Sequence, residues 1–232
     1  GRGEGPPPPP GGEMVGGYLG TAHLLGERTA EMQQILASDP NDKDFAPEPF
    51  TMFYQRSLYQ SMRNLTSQTF QILRRSLRDL PERLRGEVQR ITDSEDEILK
   101  RFQSLADRKL TGMRIRYHGD YHLGQVLYTG NDFVIIDFEG EPGRPLSQRR
   151  IKRSALTDVA GMLRSFHYVS HAPLFGQVEG VVVRPEDLPK LERWARFWHC
   201  WVSVAFLKGY LNSAAGAPFL PENRDELQIM LD

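Results

Sequence analysis

Apolar residues recur at spacings of three and four through Tyr18, Ala22, Leu25, Thr29, Met32 and Leu36, the period of one buried helix face. Ser38-Asp39-Pro40 ends that pattern, and the stretch Asp39–Pro49, with three prolines and four acidic residues, reads as a loop. Pro49 suits the first turn of a second helix. Nothing interrupts that helix from Phe50 to Leu80, with Phe50, Tyr54, Leu58, Met62, Leu65, Ile72 and Leu73 as its buried side and Pro81 as its stop. Ser94 followed by Glu97 has capping-box spacing and predicts a helix to about Leu110. The pattern then shortens into β-type runs at Met113–Tyr117, Val126–Tyr128 and Phe133–Ile136. Helical spacing returns over Ser154–His171 through Leu156, Val159, Leu163 and Phe166. Asp187-Leu188-Pro189 opens a further helix carrying Trp194, Phe197, Trp198, Trp201, Val204, Leu207 and Leu211, and a last short helix starts at Glu222. The predicted class is mostly α with a small β-hairpin insert (α+β).

The hairpin carries the chemistry. Its turn reads Thr129-Gly130-Asn131-Asp132. Pairing Thr129 with Asp132 sets Val126 opposite Ile135, Gln125 opposite Ile136 and Gly124 opposite Asp137. Partners across an antiparallel pair lie ~4.5–5.5 Å apart. The Gln125 amide and the Asp137 carboxylate therefore meet at one end of the hairpin, just after the loop His118-Gly119-Asp120. A loop carboxylate, an amide and a second carboxylate in one place match the needs of a magnesium-dependent phosphoryl transferase. One carboxylate orients the attacking hydroxyl, and the other two groups offer oxygens to a metal that bridges nucleotide phosphates.

The offsets from His118-Gly119-Asp120 to Gln125 and on to Asp137-Phe138-Glu139-Gly140 resemble the catalytic core of kinases. Glycine in the middle of the first triplet resembles the small-molecule kinases related to aminoglycoside phosphotransferases. Gln125, together with Asp137-Phe138-Glu139-Gly140-Glu141-Pro142, is most similar to bacterial maltokinase, a family often fused to trehalose synthase. Ala46–Phe50, the helix Tyr54–Leu80 and Arg153–Met162 extend the resemblance over Tyr18–Asp232. The resemblance implies the C-terminal lobe of a protein-kinase-like fold over residues 18–232, with the catalytic loop and metal hairpin at 113–141. It implies phosphorylation of maltose to maltose 1-phosphate by ATP with Mg2+, in trehalose, glycogen or α-glucan metabolism. Asp120 becomes the catalytic base or hydroxyl-positioning group, Asp137 the main metal ligand, and Gln125 a neutral oxygen ligand. His118 braces the loop. Asp158 either hydrogen-bonds that loop or is a plain surface aspartate. His122 borders the phosphates or caps the hairpin, while Glu139 and Glu141 shape the metal or sugar site. The alternatives are a non-catalytic kinase-like remnant serving as an interaction module of a trehalose synthase, and an aminoglycoside- or choline-type phosphotransferase.

Other readings compete locally. His118, Asp120 and His122 alternate as H-x-D-x-H and would suit a zinc or iron hydrolase if they lay on one side of a strand. Gly119 and Gly124 favour a loop instead, and that reading leaves Gln125 and Asp137 unused. Trp194, Trp198 and Trp201 would stack on sugar rings, but their spacing is that of a core stripe. The arginines of the second helix, Arg56, Arg63, Arg74, Arg75 and Arg78, read as a solvated face rather than a nucleic-acid surface.

Composition narrows the field further. The chain has 232 residues, 29 basic against 30 acidic side chains and a net charge of −1. No charge excess selects nucleic acid or an anionic membrane. The single cysteine, Cys200, excludes an intrachain disulfide and suits a reducing, cytoplasmic setting. Neither a signal peptide nor an apolar run of membrane-spanning length is visible. Five consecutive prolines between glycines make residues 1–17 a linker, favoured as a tether over a docking ligand. A phosphate-covering glycine loop and a strand lysine, which kinases carry on an N-terminal lobe, are not found. The expected partners are therefore that missing lobe or a fused trehalose synthase, in addition to sugar and ATP. The absence of an initiator methionine at Gly1 favours a lobe cut from a longer enzyme, poorly active alone.

Overall fold

The computed structural model describes residues 11–231. Among them the helices are α1 (Gly11–Leu36), α2 (Met52–Ser76), α3 (Glu82–Asp93), α4 (Glu95–Asp107), α5 (Leu146–Arg149), α6 (Leu156–His171), α7 (Leu188–Ser213) and α8 (Arg224–Leu231). The strands are short: β1 (Glu48–Pro49), β2 (Met113–Arg114), β3 (Val126–Tyr128) and β4 (Phe133–Ile135). The mostly helical class read from the sequence holds. Residues 1–10 of the expected linker lie outside the described residues. Residues 11–17 belong to α1, which begins at Gly11 and not near Tyr18.

The chain forms two compact units, one comprising Gly1–Glu48 with Arg114–Leu220 and the other Pro49–Met113 with Pro221–Asp232. In the first, α1 lies along α7, and α6 packs on α7. Ala22, Leu25, Thr29, Met32 and Leu36 of the predicted stripe are buried. The two long helices meet backbone to backbone. A Cβ on Gly26 would collide with the Phe206 carbonyl oxygen, and one on Gly209 with that of His23. Only glycine permits so close a crossing.

That crossing also explains a correction on α7. The tryptophan stripe was expected in the core, yet Trp194, Trp198 and Trp201 are only half-buried. The enclosed face is Ala195, Val202, Phe206, Gly209 and Tyr210. Bulky indoles cannot enter a backbone-to-backbone contact, so they flank it, with Trp198 against Tyr18 at 5.3 Å between ring centroids.

The α6/α7 contact also holds three histidines. The His167 and His171 rings stack at 4.2 Å and His199 meets His167 edge-on at 5.2 Å. Loss of hydration lowers the pKa of His167, helped by the neighbouring His171, His199 and Arg164. Burial likewise lowers that of His199.

In the second unit, Thr51 caps α2 by accepting from the Tyr54 amide at 3.2 Å, so this helix starts at Met52 and not around Pro49. It ends at Ser76, and the chain after Pro81 forms α3, which the pattern did not predict. Phe50 and Phe70 are buried, but Leu65 and Ile72, expected on the inner face, are exposed. The core here is thin, and a polar residue links its helices. Buried Gln55 on α2 donates to the Leu105 and Arg108 carbonyls, both at 2.6 Å, and accepts from the Leu110 amide at 3.3 Å. The predicted Ser94 capping box does not form. Because α3 runs to Asp93, the Ser94 hydroxyl instead donates back to the Ile91 carbonyl at 2.7 Å.

Replacing Gly209 by alanine should destabilise the fold by about 2 kcal/mol, the usual scale of overpacking, read from urea denaturation midpoints. A depressed histidine pKa contributes stability that is present above the unfolded value near 6.5 and lost as pH falls through the folded value. Stability should therefore drop on acidification below that point, and His167→Gln should reduce the drop.

Candidate active site

The site is built on the chain between β2 and α5. Ile115, fully buried, exchanges backbone hydrogen bonds with Arg153 at 2.9 and 3.1 Å, which anchors the segment entering the loop. The predicted hairpin register is the observed one: Val126 pairs with Ile135, Leu127 with Val134 and Tyr128 with Phe133. The Thr129 amide donates to the Asp132 carbonyl at 2.8 Å, and the Ile136 amide to the Gln125 carbonyl at 3.0 Å. Beyond that point the ladder stops. Leu123–Gln125 is a turn of 3₁₀ helix, and Asp137 has φ +64°, the only left-handed non-glycine among the described residues. Asp is one of the few residue types that tolerate this region, and strain of this kind collects at functional sites.

Asp137 and Gln125 meet through their side chains, the Gln125 amide donating to the Asp137 Oδ2 at 3.0 Å. The Asp137 side chain faces solvent. Asp120 is partly exposed, and its Oδ2 lies 3.9 Å from His122 Nε2. The Nδ1 of His122 accepts from the Gly124 amide at 3.0 Å, so this ring caps the 3₁₀ turn. Glu139 is exposed and makes no ion pair or hydrogen bond among the described residues. Glu141 is held by Arg144 at 2.5 Å.

His118 is enclosed. Its Nδ1 accepts from the Asp120 amide at 3.3 Å, which leaves the proton on Nε2 to be donated to the Ile136 carbonyl at 2.8 Å. The ring rests against Tyr121 and Phe138, at 5.3 and 5.0 Å between centroids. One imidazole thus joins the Asp120 loop to the residue before Asp137. A second join is steric: Gly119 (φ +89°) faces Gly140, whose Cα lies 3.2 Å from where a Cβ on Gly119 would stand.

Beneath the loop lies Asp158, in the first turn of α6. It is buried and not on a solvated face. Its two carboxylate oxygens accept from the backbone amides of His118 at 2.9 Å and Gly119 at 3.0 Å. Burial raises its pKa, against the opposing pull of those two amides and of His118.

Several supporting residues were missed in the sequence. Gln33 on α1 donates to the Ala155 carbonyl and accepts from the Tyr210 hydroxyl, both at 2.8 Å. The Thr29 hydroxyl meets that of Tyr121 at 2.8 Å. Gly161 lets α6 approach the Tyr121 carbonyl, where a Cβ would not fit. A glycine inside an otherwise helical pattern is the one signal that pointed there.

The H-x-D-x-H grouping does not converge. The His118 ring is turned inward, and the His122 Nδ1 is spent on the turn. No group of three or more His, Cys, Asp or Glu among the described residues is placed to hold a metal. The Asp137 carboxylate and the Gln125 amide, in contact with each other, form a different donor set. They are hard oxygen donors of the kind Mg2+ takes one or two at a time, filling its shell with phosphate oxygens and water.

No protein-family model matches the chain. It is similar to the glucosamine kinase of Streptacidiphilus jiangxiensis, 35% identical over 134 residues, which is 58% of this chain and 26% of that protein. The glucosamine kinase of Mycolicibacterium smegmatis is 45% identical over 53 residues, 23% of this chain and 13% of that protein. Among solved structures, a glucosamine kinase in complex with glucosamine, ADP and inorganic phosphate superposes with a TM-score of 0.67 at 24% identity, covering 94% of this chain and 45% of that one. A second crystal form of glucosamine kinase gives 0.64 at 24% identity over the same shares. The chain therefore spans about a quarter of the first curated relative and less than half of the solved kinases. The fold is the kinase-like fold of these sugar kinases. The named relatives are glucosamine kinases and not maltokinases. No described helix is long and apolar enough to cross a membrane.

Asp158→Asn would set an N–H2 group against a backbone N–H. It should cost about 1–3 kcal/mol in urea denaturation, the penalty of an unsatisfied buried donor. The raised carboxyl pKa adds a sign. Stability tied to the protonated form is present below the unfolded pKa and lost as pH rises through the folded one. The wild type should thus lose stability relative to D158N as pH rises through that window.

Proposed function

We propose that this chain is the sugar- and metal-bearing part of an ATP-dependent sugar kinase. The observation that carries the reading is the Asp137–Gln125 contact at 3.0 Å, next to an Asp120 loop tied to the same segment through His118. In this reading Asp120 orients a sugar hydroxyl toward the transferred phosphoryl group and receives its proton. Asp137 and Gln125 hold Mg2+, which when bound supplies positive charge to the nucleotide phosphates. Asp158 and His118 act as positioning residues. They fix the loop backbone, so Asp120 keeps its place without reorganising during transfer.

The sugar is the finer question. The relatives named above favour glucosamine, while the Asp137–Pro142 motif also resembles that of maltokinases. We place glucosamine first and maltose second. A phosphate-covering lobe, provided by additional chain or by a partner, completes the nucleotide site, and residues 11–231 by themselves should turn over slowly.

The test is ATP consumption by the complete protein with glucosamine or maltose as acceptor. Asp120→Ala should lower kcat by roughly 10²–10³-fold, the scale of losing one preorganised group at a transfer centre, with little change in the KM for ATP. Asp137→Ala should lower kcat and raise the Mg2+ concentration needed for half-maximal rate. Either variant retaining rates within tenfold of wild type would refute the assignment.

A further inference from the structure

A polar cavity of about 430 Å3 shares none of its lining with Asp120, Gln125 or Asp137. Five cations face it, Lys43, Arg114, Arg116, Arg150 and Lys152, against only two carboxylates, Asp44 and Glu48. Local backbone geometry creates the imbalance. Ile115 pairs antiparallel with Arg153 and is fully buried. Strand alternation then turns Arg114 and Arg116 to the opposite face, where Lys152 neighbours Arg116 across the bridge.

The cations have different jobs. Lys152 is almost fully buried, and its ammonium meets the Lys43 carbonyl at 2.5 Å, the Ala46 carbonyl at 2.7 Å and Glu48 Oε1 at 3.1 Å. Three protons meet three acceptors, so Lys152 adds field but no free donor. Glu48 spends its other oxygen on Arg114 at 2.8 Å. Arg116 lies over the Phe45 ring at 5.3 Å, a contact that orients a guanidinium without using its N–H groups. Arg116, Arg150 and Lys43 make no ion pair among the described residues. The cavity is therefore a positively charged pocket with unspent donors.

We propose that this cavity binds a dianionic phosphate group, either free or as the monoester of a small sugar. Its volume is that of a small-molecule site, and fork-shaped guanidinium donors match phosphate oxygens. Asp44 on the lining disfavours a second anionic group, so the ligand carries its charge at one end. The site does not depend on the transfer reaction assigned to Asp120 and Asp137.

The experiment measures binding of inorganic phosphate and of glucose 6-phosphate to the complete protein, by calorimetry and by the shift in Tm, with chloride at equal ionic strength as control. Phosphate should raise the Tm above the chloride control. Arg116→Gln and Arg150→Glu should each weaken binding by roughly tenfold or more, as loss of a charged hydrogen bond implies. Arg150 is exposed, so R150E retains the fold, which its urea midpoint checks. Asp137→Asn should bind phosphate as the wild type does. Tighter binding of glucose 6-phosphate identifies an ester ligand, and equal affinity identifies inorganic phosphate. No Tm rise beyond chloride, unchanged affinity in both arginine variants, or loss of binding in D137N each overturns the proposal.

Discussion

The site depends on one buried carboxylate. Asp158 receives the backbone amides of His118 and Gly119 on its two oxygens and so fixes the loop from below. Removing a carboxylate from water is costly, so such a group is retained where its partners are preset. They are preset here because α6 is itself held. Gln33 grips the Ala155 carbonyl at the α6 N-terminus, Tyr210 grips Gln33, and the glycine crossing of α1 with α7 brings both within reach.

Above that anchor, two short links make the loop and the Asp137 segment one piece. The His118 ring bonds to both sides, through the Asp120 amide and the Ile136 carbonyl, which also fixes its tautomer. Gly119 and Gly140 allow the two backbones to touch. The consequence is that Asp120 and Asp137 cannot drift independently. The left-handed turn at Asp137 stops the strand and turns that carboxylate toward Gln125.

The two units are stabilised differently. The first buries large side chains, among them Phe166, Phe206, Tyr210 and Phe219. The second encloses little more than Phe50, Phe70 and Leu110, and relies on Gln55 tying α2 to the end of α4. Apolar burial scales with the area removed from water, so a helix such as α2, with Leu65 and Ile72 exposed, gains less from packing than its sequence pattern suggested.

Much of the site was written in the chain. Alternation and the Thr129–Asp132 turn determined the hairpin register, and the offsets among Asp120, Gln125 and Asp137 marked the residues that the structure brings together. These are local signals: strand period, turn and spacing all act over a few residues. What tertiary structure decided was which face of each helix meets a partner. Ser94 lost its capping role because α3 runs into it, and the tryptophans of α7 were displaced to the flanks by a glycine crossing. By sequence Asp158 was equally a loop-bracing group or a surface aspartate, and its burial beneath the His118 and Gly119 amides decides for the first. The basic cavity draws on residues 43–48, 114–116 and 150–152, which no periodicity connects. Burial and charge density depend on neighbours distant in sequence, so packing, and not pattern, created both.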